Sequence, residues 1–467
     1  MSDARADELG LLTSFISTLD LRQVPSEVRE RARLTVLDIL GVTIAGSKER
    51  STELIHDQLA SIGGREEASV IGRGMLPAMH ATLVNASAAH AVELAEGASR
   101  AAVHAGNASI LAALAVCERD DLSGADLLRA TIAGYEVSIR VGWALNSRRG
   151  ADTWGDQAEA LKRGWWTPSM LGGFGAAAAV SSARRLDDGQ LRHALGIAAS
   201  SAPAATNALV REGPMAKPLS MGVAAAGGVL AADLAARGFT GLRDVVGGWF
   251  PPLNPEAVPE RLSDGLGDRW EIMDTLFKPF ACMGPIFAAL EATLGIVAAR
   301  PLAPDEIRDV LVEGYQRTLD YADPAPTSPE GARTSLPYCV AAAVVLRDRH
   351  AFLGEAFEEE RLADQRIRRL MPRIRTALEP EFDRLYPFHA AKARVTITTA
   401  SGERLVREVD RDALPFYHRP TYTDIADKFR VVATPSLGPD RVARLIAMAD
   451  ELEKLPRARQ LAALLRR

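Results

Sequence analysis

The chain has 467 residues, 47% hydrophobic and 25% charged, a balance that suits a globular protein of two or three domains. A net charge of −5 and a pI near 6.0 give no electrostatic basis for binding nucleic acid or a membrane surface. Three scattered cysteines (Cys117, Cys282, Cys339) exclude a disulfide framework and fit no zinc spacing, so no metal is expected and a reducing cytoplasm fits best.

The first twenty residues lack a basic n-region and do not read as a signal peptide. Leu9, Leu12, Phe15 and Ile16 have the 3–4 spacing of a buried helical stripe, which predicts a helix over 6–18. PSEVRERARLTVLDILGVTIAGS (25–47) opens with Pro and Ser where a helix begins, and its second half is apolar all round. Further helices are predicted near 52–62, 77–96, 107–119, 123–146, 168–184, 187–200, 216–237 and 241–248. They are rich in Ala and Gly, as in GGFGAAAAVSSA and MGVAAAGGVLAADLAA, and small faces of this kind let helix axes approach closely. GGFGAAAA is half of a dinucleotide fingerprint, but no strand precedes it and no suitably spaced acid follows, so it reads as a packing helix. The longest apolar run, Leu219 to Ala232, is too short to span a bilayer and ends at Asp233, so no membrane partner is expected.

Near 270 the texture changes. A helix over 284–299 leads into RDVLVEGY (308–315), a strand-like run. ARVTITTA-SG-ERLVREVD (393–410) reads as a hairpin, with alternating Val395, Ile397 and Thr399 and a Ser401-Gly402 turn. Helices are predicted between them near 335–348, 354–360 and 366–377, the last showing an arginine-rich solvated face. DIADKFRVVA (424–433) and 439–452 then resume the helical style. The expected fold is mainly α: a large helical domain from both chain ends, 1–268 and 405–467, with a smaller α+β lid domain, 269–404, inserted.

No Walker loop, GxSxG elbow or HExxH is present, so acid–base chemistry must come from dispersed residues. His90 shares a helix face with Leu94, and Glu93 shares one with Gly97; His104 follows in a Gly-flanked loop suited to ligand approach. Lys217, before Pro218 at a helix start, has the wrong charge for the helix dipole unless an anion lies between them, which hints at a carboxylate site. Lys278, between Phe277 and Phe280, is expected to be poorly solvated and poised for acid–base work. Tyr338, after Pro337 at the start of an Ala/Val helix, offers a hydroxyl to donate a proton or hold a carboxylate.

In order along nearly the whole chain, TVLDILGVTIAGS, HAVELAEG with His104, GPMAKPLSMGVAA, FKPFACMGPIFAALEA, TSLPYCVAAAV and DKFR together resemble the MmgE/PrpD family of dehydratases, decarboxylases and epimerases. The resemblance implies a helical domain with an inserted lid, a homodimer, and cofactor-independent chemistry on a small di- or tricarboxylic acid. It implies catalytic roles for His104, Lys217, Lys278 and Tyr338, and substrate contacts from Glu93, His90, Trp166 and Met283, in a cleft between the domains. Glu93 stands where the family has Asp, Ala95 where an acid is common, and Gly97 where Thr is common. Trp166 takes a histidine position, and Met283, Gly284 and Ile286 replace polar residues, which points to a less polar substrate. A lyase is the leading expectation; an isomerase using the same proton abstraction and a non-catalytic binding protein are the alternatives.

Overall fold

The structure, a computed structural model, describes residues 7–98, 101–148, 159–386 and 390–466. The described residues form two compact units. The first comprises those up to Ala91, then Ala95–Leu276, and from Tyr422 onward; the second comprises Val92–Leu94 and Phe277–Thr421.

The first unit is helical. Its main elements are α1 (Glu8–Ser17), α2 (Ser26–Gly46), α3 (Arg50–Ile62), α4 (Ala78–Ala91), α5 (Ala105–Arg119), α6 (Gly124–Asn146), α7 (Thr167–Ala183), α8 (Asp188–Ser200) and α9 (Ala216–Ala235). Ser123 with Asp126 and Asp187 with Gln190 form capping boxes that fix the starts of α6 and α8. Every residue of α7 is buried, so its Ala/Gly texture serves packing on all sides. At Gly228, where α9 meets α7, an added Cβ would lie 2.4 Å from the Ala176 methyl and 2.7 Å from the Gly173 carbonyl oxygen, so only glycine allows this crossing. By length and composition α9 could cross a membrane, but 61% of its apolar window is buried among neighbouring helices, as in a core helix. Leu219, Val223 and Leu230 form an exposed stripe on its outer side.

The second unit contains α10 (Phe287–Ala299), α11 (Leu336–Leu346) and strands β1 (Ile307–Gly314), β2 (Ile374–Leu378), β3 (Lys392–Thr399) and β4 (Arg404–Asp410). The sheet order is β2-β1-β3-β4, with β1 parallel to β2 and antiparallel to β3, and β3 antiparallel to β4. Val310, Val312, Val395 and Ile397 are buried, while β4 is a largely exposed edge. The hairpin forms as its alternation predicts. The helix expected over 366–377 stops at Leu370, because Pro372 cannot continue it and Ile374 opens β2.

The chain then returns to the first unit through α12 (Tyr422–Leu437) and α13 (Pro439–Asp450). Lys428 on α12 meets Asp38 on α2 at 2.7 Å, both fully buried, and burial pushes the Asp38 carboxyl up against the opposing pull of the lysine. The observed division differs from 269–404 at both ends. Residues 269–276 belong to the first unit: Glu271 N–H donates to Glu136 at 2.6 Å, and Leu276 exchanges backbone hydrogen bonds with Gly97. At the other end, β4 is laddered to β3 and stays with the second unit.

Candidate active site

Three helices of the first unit run parallel with their N-termini together. The Thr167 hydroxyl at the start of α7 donates to the Ala102 carbonyl just ahead of α5, at 3.1 Å. Ser169 of α7 and Ser220 of α9 share a 2.6 Å hydrogen bond one turn in. Deeper, the Cβ position of Gly172 on α7 faces both Ala108 of α5 and Met221 of α9. The positive dipole ends of three helices are therefore pooled at one place, an arrangement that attracts anions.

The predicted residues His104, Trp166 and Lys217 stand at this end, as the N-cap of α5, the N-cap of α7 and in the first turn of α9. Lys217 is buried, and its ammonium lies 5.8 Å from the Trp166 ring centroid, a cation–π distance. The indole Nε1 of Trp166 is buried and has no hydrogen-bond partner among the described residues. The His104 ring packs edge-on against His90, with centroids 5.2 Å apart, and Asn107 Nδ2 donates to His90 Nδ1 at 3.2 Å.

His104 Nδ1 lies 2.6 Å from the backbone oxygen of Glu96. A carbonyl oxygen only accepts, so Nδ1 carries the proton and Nε2 the lone pair of the neutral ring. A Cβ on Gly97 would press on His104 Nδ1 at 3.3 Å, so glycine here leaves room for the ring.

Glu96 is a residue that sequence reasoning missed. Its side chain is fully buried, and Oε1 accepts from the Gly106 N–H at 2.7 Å. Burial raises its carboxyl to about 7, against the lowering effect of the Gly106 hydrogen bond. The only signal was a second acid three residues after Glu93, in ELAEGAS.

In the second unit the Lys278 ammonium is held by three oxygens: the Glu93 carbonyl at 2.9 Å, the Glu93 carboxylate at 3.0 Å and the Cys282 carbonyl at 3.4 Å. The expected apolar setting is thus only partial: Phe277 and Phe280 are buried, but the ammonium is solvated by protein oxygens. Glu93 adopts a left-handed backbone, φ 51°, which costs a non-glycine residue about 1 kcal/mol. The two bonds from Lys278 hold it there. Half-buried Met283 is anchored by its N–H to the Arg333 carbonyl at 3.1 Å.

Tyr338 departs from its expected role. Its side chain is buried, its ring packs against Phe357, and its hydroxyl donates to the Ala356 carbonyl at 2.5 Å. Burial pushes its pKa up, so in this geometry it is a core tyrosine whose proton is already committed. Among the described residues no group of three or more His, Cys, Asp or Glu side chains is placed to hold a metal.

Fold and residues together define the class: the chain belongs to the MmgE/PrpD family, whose N-terminal domain matches residues 10–249 and whose C-terminal domain matches residues 280–454. It is 26% identical to the cis-aconitate decarboxylase-like protein oryM of Aspergillus oryzae, over 97% of this chain and 96% of that protein. It is 27% identical to the cis-aconitate decarboxylase of Homo sapiens, over 94% of this chain and 90% of that protein. Against a cis-aconitate decarboxylase of Aspergillus terreus the identity is 24%, over 97% of this chain and 95% of that protein. The relatives are named for a lyase reaction, and the chain is an enzyme of this family.

Proposed function

We propose that the protein is a cofactor-independent lyase that decarboxylates or dehydrates a small di- or tricarboxylic acid, or a less polar analogue of one. The observation that carries this reading is the junction of three helix N-termini with Lys217 and an oriented His104. The names of the relatives, cis-aconitate decarboxylases, support it.

In this reading Lys217 and the helix ends bind a substrate carboxylate and stabilise the negative charge that builds on the adjacent carbon. His104 moves the proton through Nε2, since Nδ1–H is committed to the Glu96 carbonyl. From the second unit we assign Lys278, with Glu93 as its partner, as the other proton-handling group. Tyr338 has no part in this assignment. Trp166 covers the Lys217 ammonium on one side and offers an apolar face with one N–H donor, which favours an acid bearing an alkyl or aryl group. A homodimer in the cytoplasm belongs to the same proposal; the exposed apolar stripe on α9 supports the dimer, and light scattering tests it.

The experiment is proton NMR of the protein in D₂O with cis-aconitate, 2-methylcitrate, iminodisuccinate and alkyl- or aryl-substituted succinates. Loss of CO₂ or water from one of them is the expected result. Deuterium entering an α-carbon with no change in composition would replace the lyase with an isomerase. No change in any acid would overturn the proposal.

A further inference from the structure

Between α4 and α5 the backbones of Ala98 and Val103 bond to each other in both directions. His104 follows Val103 and is the N-cap of α5. Two oxygens of a single residue grip the segment on either side of that cap. The Glu96 backbone oxygen takes His104 Nδ1–H at 2.6 Å, and Glu96 Oε1 takes the Gly106 N–H at 2.7 Å.

The grip is tightly built. A Cβ on Gly106 would fall 2.5 Å from the Tyr135 hydroxyl and 2.6 Å from Glu96 Oε1, so residue 106 must be glycine for the carboxyl to reach the helix N-terminus. Tyr135 on α6 is buried close behind residue 106. The one hydrogen bond seen for this carboxyl is the one from Gly106, and nothing in the reaction assigned above consumes the carboxyl.

We propose that Glu96 is a positioning residue that fixes the His104 imidazole in the Nδ1–H tautomer and aims Nε2. The proposal rests on the reading of His104 as the proton-moving group, but the tautomer can be measured without any substrate. Imidazole orientation matters because a displacement of about 1 Å in a reacting group can cost about 10²-fold in rate. Gln at 96 keeps an oxygen for the Gly106 N–H; Ala does not.

The test uses the full chain labelled with ¹⁵N-histidine, as wild type, Glu96→Gln and Glu96→Ala, with His104→Gln to assign the resonance. Long-range ¹H–¹⁵N correlation above the histidine pKa reads the tautomer. The expected result is one Nδ1–H form in wild type and in Glu96→Gln, and a mixture in Glu96→Ala. With an acid from the panel that turns over, Glu96→Ala should lose about 10²-fold in kcat with KM changed little, and Glu96→Gln should restore kcat. A wild-type His104 that is not Nδ1–H, or a Glu96→Gln spectrum that loses that form, overturns the proposal even if the alanine variant does not fold. An unchanged tautomer in folded Glu96→Ala also overturns it. If the tautomers behave as expected while His104→Gln keeps full activity, the positioning stands and the catalytic role of His104 falls.

Discussion

Two Lys-Pro pairs, Lys217-Pro218 and Lys278-Pro279, look alike in the sequence and end in different chemistry. Lys217 opens a 20-residue helix, and its ammonium faces an indole beside the N-termini of two parallel neighbours. Lys278 precedes no helix of its own; its ammonium is wrapped by two carbonyls and a carboxylate. Proline after lysine fixes only the local backbone. What the charge does is set by the partners that tertiary structure delivers. The first lysine lies among positive helix ends, a setting suited to a carboxylate, while the second is held by the carboxylate of Glu93.

The largest expected effect separates the two. Lys217→Ala should lower kcat/KM by about 10²–10³-fold, the scale of losing one donor to a developing anion. Lys217→Arg should recover part of that loss, since the charge returns. If the alanine variant turns over the best acid of the NMR panel as fast as the parent, the contrast between the lysines collapses and the helix end is not the carboxylate site.

The next effect concerns the carboxyl behind His104. Glu96 titrates at about 7 in the folded chain against 4.5 when unperturbed. Its folded pKa is raised, so the native state binds more protons than the unfolded state between these values. Its contribution is fully present below about pH 4.5 and is lost as pH rises through about 7. Over that span the loss is about 3 kcal/mol. Glu96→Gln stays neutral throughout, so its stability relative to the parent should rise from near zero at pH 4.5 to about 3 kcal/mol at pH 8. Urea unfolding at both pH values measures it, and a difference that does not change with pH would remove the raised carboxyl.

That carboxyl also marks the limit of what could be read in advance. The helices were legible because apolar residues recur every three or four positions, as at Leu9, Leu12, Phe15 and Ile16. The hairpin over 393–410 was legible from alternation and a Ser-Gly turn. Strand β2 was not, because the arginine spacing before Pro372 imitates one helix face and the strand's partner, β1, lies some sixty residues earlier. Placing His104, Trp166 and Lys217 at helix starts was within reach of the sequence. That the three starts coincide was not, since it depends on how helices far apart in the chain pack. Glu96 sits in an irregular segment with no periodicity to reveal its burial.

A smaller effect tests the Lys278 side. Glu93→Gln removes the carboxylate from Lys278 but leaves the backbone carbonyl contact at 2.9 Å. If the pair shares a proton-handling task, kcat should fall about tenfold with KM nearly unchanged, the pattern of an interaction used in the transition state. A rise in KM alone would make the pair a binding element instead.

The smallest effect is expected at Tyr338, and it is informative because the family resemblance implies a large one. The hydroxyl has one acceptor, the Ala356 carbonyl, and its ring is buried beside Phe357. Tyr338→Phe therefore removes one buried hydrogen bond and leaves that carbonyl without it, at a cost of about 1–2 kcal/mol in stability. In the geometry described, kcat should stay within about twofold of the parent, because no proton of the reaction passes through this oxygen. A loss of 10²-fold or more, the scale of a missing general acid, would mean that the bond to Ala356 breaks during turnover and that the hydroxyl is released to the substrate. Measuring kcat and the melting temperature on the same preparation separates the cases. A lower melting temperature with kcat kept is the signature of a core tyrosine, and kcat lost at an unchanged melting temperature that of a proton donor.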